Sequence, residues 1–165
     1  MTFSAYEQGT LSLETVNLVE LAETVVSDIA PLAVSAGYDI SLEAEFADLW
    51  FNDNALSVKR AAGNLVQNAI NHGGQSGAIT VRVGASANID VIDEGPGIAQ
   101  SEHERVFEPF HRLKNDGRGV GLGLDVVQRI MHAHGGHAEL VAGAMSSGAH
   151  FRLRFESART APATT

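Results

Sequence analysis

There is no cysteine anywhere in the 165 residues, so neither a disulfide framework nor a thiolate site is open to this chain. That suits a reducing cytosol. Cations are scarce as well: 11 Lys and Arg stand against 20 Asp and Glu, a formal net charge of −9. A surface of that sign repels polyanions, which argues against nucleic acid as a partner and against direct contact with an anionic membrane. No apolar run approaches the ~20 residues needed to span a bilayer, and the N-terminus carries no basic and apolar signal sequence. Two common nucleotide signatures are missing too. No GxxxxGK[ST] occurs, and GxGxxG begun at Gly117, Gly119 or Gly121 meets Leu122, Leu124 or Val126 where its last glycine should stand.

What is present suffices for one domain with a core, at 44% hydrophobic and 19% charged residues. Leu18, Leu21, Ala22, Val25, Ile29, Leu32 and Ala33 recur with the 3.6-residue period of an amphipathic helix ending near Gly37, kinked or divided by Pro31. Before it, residues up to Thr15 show no sustained period. Ile40, Leu42, Ala44 and Phe46 alternate with Ser41, Glu43 and Glu45 as a strand does, and Leu49 to Phe51 suit a short second strand. Asn52, Asp53 or Asn54 can cap a second helix whose buried stripe is Val58, Ala61, Ala62, Leu65 and Ala69. Ile79, Val81 and Val83, then Ile89 and Val91, alternate on either side of Gly84 to Asn88, which predicts a hairpin ending at Asp93. Ser101 is placed to cap a short helix through Val106. A third helix from about Gly121 to His134 stops at Gly135-Gly136. A strand over 137–142 and another with Ala149, Phe151, Leu153 and Phe155 inward complete the pattern, and residues from 157 on read as a disordered tail. The pattern predicts a two-layer α/β sandwich: a mixed, mostly antiparallel sheet of about five strands, covered on one face by three helices.

Three stretches carry candidate chemistry. Gly119, Gly121 and Gly123 precede the third helix, where a permissive backbone, free N–H groups and the positive end of the helix dipole favour an anion. Arg112, Lys114 and Arg118 fall just before them, although a solvated surface loop collects the same residues. Asn64, Asn68 and Asn71 form a line on one face of the second helix, beside its apolar stripe. Amide oxygens there suit a hard cation such as Mg²⁺; a polar edge facing solvent is the other reading. Asp93 with Gly95-Pro96-Gly97 is a turn signal as well as a wall for a ligand. His132, His134 and His137 do not make a zinc site, because positions 132 and 134 diverge on a helix.

Taken together, these segments resemble a known family. Gly63-Asn64-Leu65-Val66-Gln67-Asn68-Ala69-Ile70-Asn71-His72 resembles the N box of sensor histidine kinases, and Val91 to Ile98 their first glycine box. Phe107-Glu108-Pro109-Phe110 is similar to their F box, and Gly119-Val120-Gly121-Leu122-Gly123-Leu124 to their second glycine box. The four stand in the family's order over roughly residues 14 to 156, the extent of the catalytic and ATP-binding domain in this branch of the GHKL ATPases. The resemblance implies a protein-histidine kinase domain with ATP and Mg²⁺ as cofactors. Asp93 would accept a hydrogen bond from the adenine amino group, with Gly95, Gly97 and Ile98 against the purine. Asn68 would hold Mg²⁺, with Asn64, Asn71 and His72 nearby. Gly119, Val120, Gly121, Leu122, Gly123 and Leu124 would serve the phosphates. Residues from about 108 to 120, including Phe110, Lys114 and Arg118, would form an ATP lid, and Arg112 would be its catalytic cation.

Asn71 stands where many members have lysine, and His111 where many have tyrosine. No histidine here fits the family's phosphoacceptor; His103-Glu104 is the nearest imitation. The partners implied are therefore a dimerisation and histidine-phosphotransfer domain of a parent kinase and, indirectly, a response regulator, with residues 1–13 a linker remnant from that upstream domain. The expected location is cytoplasmic, the parent being anchored in the inner membrane or not, and the fragment is expected to be monomeric. Two alternatives fit the same residues, a free-standing GHKL serine kinase of the anti-sigma type and a nucleotide-sensing module without phosphotransfer.

Overall fold

A single asparagine joins the first strand to the first helix. Asn17 ends β1 (Glu14–Asn17), and its Oδ1 caps α1 (Leu18–Ser35) by accepting from the Val19 N–H at 3.1 Å. The same oxygen accepts from the Leu49 N–H at 3.1 Å, and the Asn17 amide donates to Asp48 Oδ1 at 2.7 Å. The buried side chain thus ties the helix start to the approach of β3 (Trp50–Asp53). The computed structural model describes residues 14–72, 77–108, 124–141, 148–155 and 158–159.

Helix α1 is not divided at Pro31: it continues to Ser35, and the proline lies exposed, where water can meet the carbonyl that it leaves without a donor. Beyond Gly37, at φ +98°, strand β2 (Tyr38–Ala44) follows. It ends before Phe46, so the expected inward phenylalanine is instead 57% exposed. Helix α2 (Ala55–His72) starts at Asn54, whose Oδ1 accepts from the Ser57 N–H and from the Ser57 hydroxyl, both at 2.9 Å. All five positions of its expected stripe are buried. Next come β4 (Gly77–Gly84) and β5 (Asn88–Asp93), the expected hairpin, with Gly84 paired to Asn88 and Ala87 at φ +65° in the turn.

Ser101 caps no helix. A 3₁₀ turn spans Gln100–Glu102 without a side-chain cap bond, and the chain then runs through single turns to Glu108. Helix α3 (Leu124–Ala133), β6 (His137–Leu140) and β7 (His150–Arg154) follow, and β8 (Ala158–Arg159) pairs antiparallel with β3. Residues 158–159, inside the span read as a tail, thus pair with a distant strand, which supplies an order that the local residues do not. The five-stranded sheet has the order β2-β4-β5-β7-β6, with only β2 and β4 parallel. A separate three-stranded sheet has the order β1-β3-β8. Three helices lie on one face of the main sheet, with α2 packed between α1 and α3, as expected. Among the described residues no helix is long and apolar enough to cross a membrane.

The opposite face of the sheet carries a row of charges in register. Glu43, Arg82, Asp90, Arg152 and Glu139 are neighbours across β2, β4, β5, β7 and β6. Asp90, 1% exposed, is its centre: Arg152 donates Nε to Oδ1 and Nη2 to Oδ2, both at 2.8 Å, while Asn88 donates to Oδ1 at 2.9 Å and His150 Nε2 meets Oδ2 at 2.7 Å. Burial alone would push this carboxyl up, but those hydrogen bonds and the Arg152 charge outweigh it and hold it below the ordinary 3.8. Its stabilisation is complete above pH 3.8 and is lost as pH falls through the lowered value. Replacing Asp90 by Ala strands the Arg152 and His150 donors, and should lower the urea midpoint by the equivalent of about 3 kcal/mol with an unchanged slope. The same variant should also flatten the acid limb of the unfolding curve.

Candidate functional site

The alternation of β5 puts Ile89, Val91 and Asp93 on the face beneath the helices, so that row of core residues ends in a carboxylate. Asp93 is 7% exposed. Its Oδ1 accepts from the Gly95 N–H at 2.9 Å and from the Ala149 N–H at 3.1 Å, and its own N–H donates to the Ala149 carbonyl at 3.0 Å. Both hydrogen bonds land on one oxygen; among the described residues nothing donates to Oδ2. Burial pushes the carboxyl up, and the two N–H groups and the charge of nearby His72 offset this only in part, so it sits above 3.8. The folded chain therefore holds this proton more tightly than the unfolded chain, and Asp93 lowers stability as pH rises from 3.8 through the raised value.

Two glycines permit the arrangement. Gly148, at φ +115°, lies so close that a Cβ would overlap the Asp93 carbonyl oxygen. Gly97, at φ +78°, would place its Cβ 3.2 Å from the Gly148 carbonyl oxygen. The turn after β5 and the residues entering β7 are thus pressed together around the carboxylate. His103 Nε2, 2.8 Å from the Ile98 carbonyl, holds the far side of that turn when Nε2 carries the proton. On the other side Glu94 Oε1 accepts from the Ala78 N–H at 3.0 Å.

Helix α2 supplies the second wall. It packs against β5, and the Tyr38 hydroxyl donates to the Ile70 carbonyl at 3.0 Å, fixing its last turns beside β2. The asparagine line is graded: Asn68 is buried, whereas Asn64, Asn71 and His72 are half-buried. Asn68 is therefore not on a solvent-facing edge. Leu124, Val127, Ile130 and Met131 bury the face of α3 that meets the core, and the Phe107 ring stands edge-on to Phe151 with centroids 5.9 Å apart. That contact anchors the chain just before residue 109.

Of the residues singled out in the sequence, the structure places Asp93, Gly95, Gly97 and Ile98 in one turn. It sets Asn64, Asn68, Asn71 and His72 on the helix beside them and Leu124 at the start of α3. Phe110, Arg112, Lys114, Arg118, Gly119, Val120, Gly121, Leu122 and Gly123 lie outside the described residues. Sequence reasoning missed Ala149 and Gly148 as the clamp on Asp93, and took His103 only for an imitation of a phosphoacceptor. The one local signal was a glycine immediately before an alternating strand. No group of three or more His, Cys, Asp or Glu capable of holding a metal occurs among the described residues, so a metal here would rest on amide oxygen, ligand oxygens and water.

The family model described as "Histidine kinase-, DNA gyrase B-, and HSP90-like ATPase" matches residues 53–159. Sensor protein kinase PmrB of Pseudomonas aeruginosa is 36% identical over 143 residues, which cover 81% of this chain and 28% of PmrB. Sensor protein IrlS of Burkholderia pseudomallei is 35% identical over 136 residues, covering 78% of this chain and 29% of IrlS. The chain thus spans less than a third of the length of these curated relatives. Among solved structures, the catalytic domain of histidine kinase ThkA superposes with a TM-score of 0.79 at 26% identity, over 88% of this chain and 95% of that one. Full-length ShkA in complex with AMPPNP superposes with a TM-score of 0.79 at 27% identity, over 93% of this chain and 32% of ShkA. The chain belongs to the histidine kinase-, DNA gyrase B- and HSP90-like ATPases. Within that family its fold is the one found in histidine kinase catalytic domains.

The two kinds of glycine in the site region should separate by mutation. Gly148→Ala meets both overlap and a positive φ, and should lower stability by about 2–3 kcal/mol. Gly63→Ala, inside α2 with nothing within 4 Å of the added Cβ, should raise it by about 0.5–1 kcal/mol in the same urea titration.

Proposed function

We propose that this chain is the ATP-binding catalytic domain of a sensor histidine kinase. The observation that carries the reading is the buried Asp93 carboxylate, with both backbone donors on Oδ1 and its second oxygen left for an incoming donor, beside the buried amide of Asn68. An exocyclic amino group of adenine is a donor of the right kind for Oδ2. Gly95 and Gly97 let a flat ring lie against the turn, and Asp93 cannot swing away because two chain segments hold it. The Asn68 amide oxygen, on the wall next to it, suits Mg²⁺, which when bound neutralises phosphate charge and orients the chain of phosphates. Asn64, Asn71 and His72 continue that wall. The residue range 109–123 brings Arg112, Lys114, Arg118 and the glycines, of which Arg112 is the cation for charge developing at the γ-phosphoryl.

The acceptor is a histidine on a dimerisation domain outside this chain, from which a response regulator then takes the phosphoryl group. The isolated chain accordingly binds ATP·Mg²⁺ without phosphorylating itself. Since ATP is supplied inside the cell, the domain works in the cytoplasm, whether or not its parent is anchored in the inner membrane.

Titration with a non-hydrolysable ATP analogue, with and without Mg²⁺, tests this. Asp93→Ala should weaken binding by about 100-fold or more, the loss expected for a charge-assisted hydrogen bond, while Asn68→Ala should mainly remove the dependence on Mg²⁺. Wild-type affinity should fall on acidification with a midpoint above 3.8, because protonated Asp93 is a poorer acceptor. Failure of the wild type to bind adenine nucleotides would end the kinase reading. Binding without phosphoryl transfer to a supplied dimerisation domain would leave a nucleotide sensor.

A further inference from the structure

At the end of α2 away from Asn68, a buried polar contact joins the end of β3 to the end of α3. His134 Nδ1 meets Asp53 Oδ1, with the side chains 3% and 5% exposed. Asp53 is the last residue of β3, is paired with Glu14 of β1, and its Oδ1 also accepts from the N–H of Asn54, the cap of α2, at 2.8 Å. His134 closes α3. The Gly136 N–H donates to the Met131 carbonyl at 2.9 Å and the Gly135 N–H to the His132 carbonyl at 3.2 Å, with Gly135 at φ +80°, a Schellman ending. A Cβ on Gly136 would overlap the Arg154 carbonyl oxygen, so the turn that carries His134 is seated against β7. One contact thus connects β1, β3, the start of α2 and the end of α3.

The contact is a poor way to gain stability. His134 Nε2 is buried with no hydrogen-bond partner among the described residues, an uncompensated loss of hydration, and apolar side chains of similar size commonly replace such pairs without loss. Burial also pushes the imidazole pKa down, toward the neutral ring in which Nδ1–H donates to Asp53. What the pair supplies is direction: a hydrogen bond fixes the end of α3 against β3 and, through the Asn54 N–H on the same carboxylate, against the start of α2, where apolar packing tolerates a slide.

We propose that Asp53 and His134 are positioning residues for the nucleotide site, setting the register of α3 against α2 from the far end and coupling both helices to β1. The proposal rests on the ATP-binding reading above. Asn68 lies toward the other end of α2, and Leu124 begins α3 next to the glycine segment, so a slip at the clamp changes the spacing of the site's two walls without removing a ligand contact. Because β1 is paired along its whole length with β3, a displacement of β1 reaches α3 through this contact.

The test uses the whole chain. Asp53→Asn/His134→Leu keeps an oxygen for the Asn54 N–H and removes the contact, whereas His134→Asn keeps an N–H donor in the place of Nδ1. The double variant should keep the wild-type urea midpoint yet bind the ATP analogue about tenfold more weakly, and His134→Asn should restore most of that affinity. Amide hydrogen exchange at 64–72 and 124–133 without nucleotide should quicken in the double variant and return to the wild-type rate in His134→Asn. Wild-type affinity together with wild-type exchange in the double variant would overturn the proposal. Should that variant not fold, His134→Gln, with the same amide one bond further out, replaces it under the same criteria. A wild type that ignores the analogue would defeat the kinase reading and with it the nucleotide-site role of the pair, while the exchange comparison still decides by itself whether the clamp sets the helices.

Discussion

A carboxylate in the row of apolar residues under the helices is an expensive place for charge, and the site depends on how that charge is held. Asp93 is gripped from two directions, by the N–H of Gly95 in the turn that follows and by the N–H of Ala149 from the neighbouring chain segment. Two neutral donors on one oxygen orient the group but do not compensate it fully, which is why its pKa stays above the ordinary value. In the proposed ATP-binding role, the residual cost is what the ligand donor would relieve. Strand β5 lies at the centre of the five-stranded sheet, flanked by β4 and β7, so the carboxylate rides on the most constrained strand of the main layer.

Asp90 and Asp93 show how much the surroundings decide. They belong to one strand, three residues apart, and therefore point to opposite faces. On the face away from the helices, Asp90 is met by a guanidinium, an amide and an imidazole, and its proton is held more weakly than usual. Among the described residues Asp93 meets only backbone N–H groups and the charge of nearby His72, and its proton is held more tightly. The first is a closed network that holds strands together. The second, among the described residues, has both of its donors on one oxygen. Acid should thus attack the structure through the former, whereas protonation of the latter relieves a burial cost.

The helix layer has a comparable division. Helix α2, in the middle, carries the asparagine line near its C-terminal end and is capped by Asn54 at the other, where Asp53 and His134 meet. Its two ends thus face different tasks, and the apolar stripe between them transmits position because close-packed interiors deform little. The buried asparagine at 68 is tolerated in this helix at a cost in propensity, which a polar ligand can make good.

Much of this was legible along the chain, and the divide follows the range of the interactions concerned. The stripe of α2, the β4–β5 hairpin and the glycine stop of α3 rest on periodicity and turn chemistry, which act over a few residues, and each stands where the pattern put it. Asp93 was recognisable because a strand pattern ended on it just before a glycine turn. Strands β1 and β8 were not recognisable, since their order comes from pairing with β3 far along the sequence. The partners of Asp93 at Ala149, of Asp90 at Arg152 and of Asp53 at His134 are likewise separated by long stretches of chain. Local sequence sets which way a backbone turns and which face is apolar. Which buried charge meets which donor depends on segments brought together by the assembled sheets, and so on packing that no short window of residues contains.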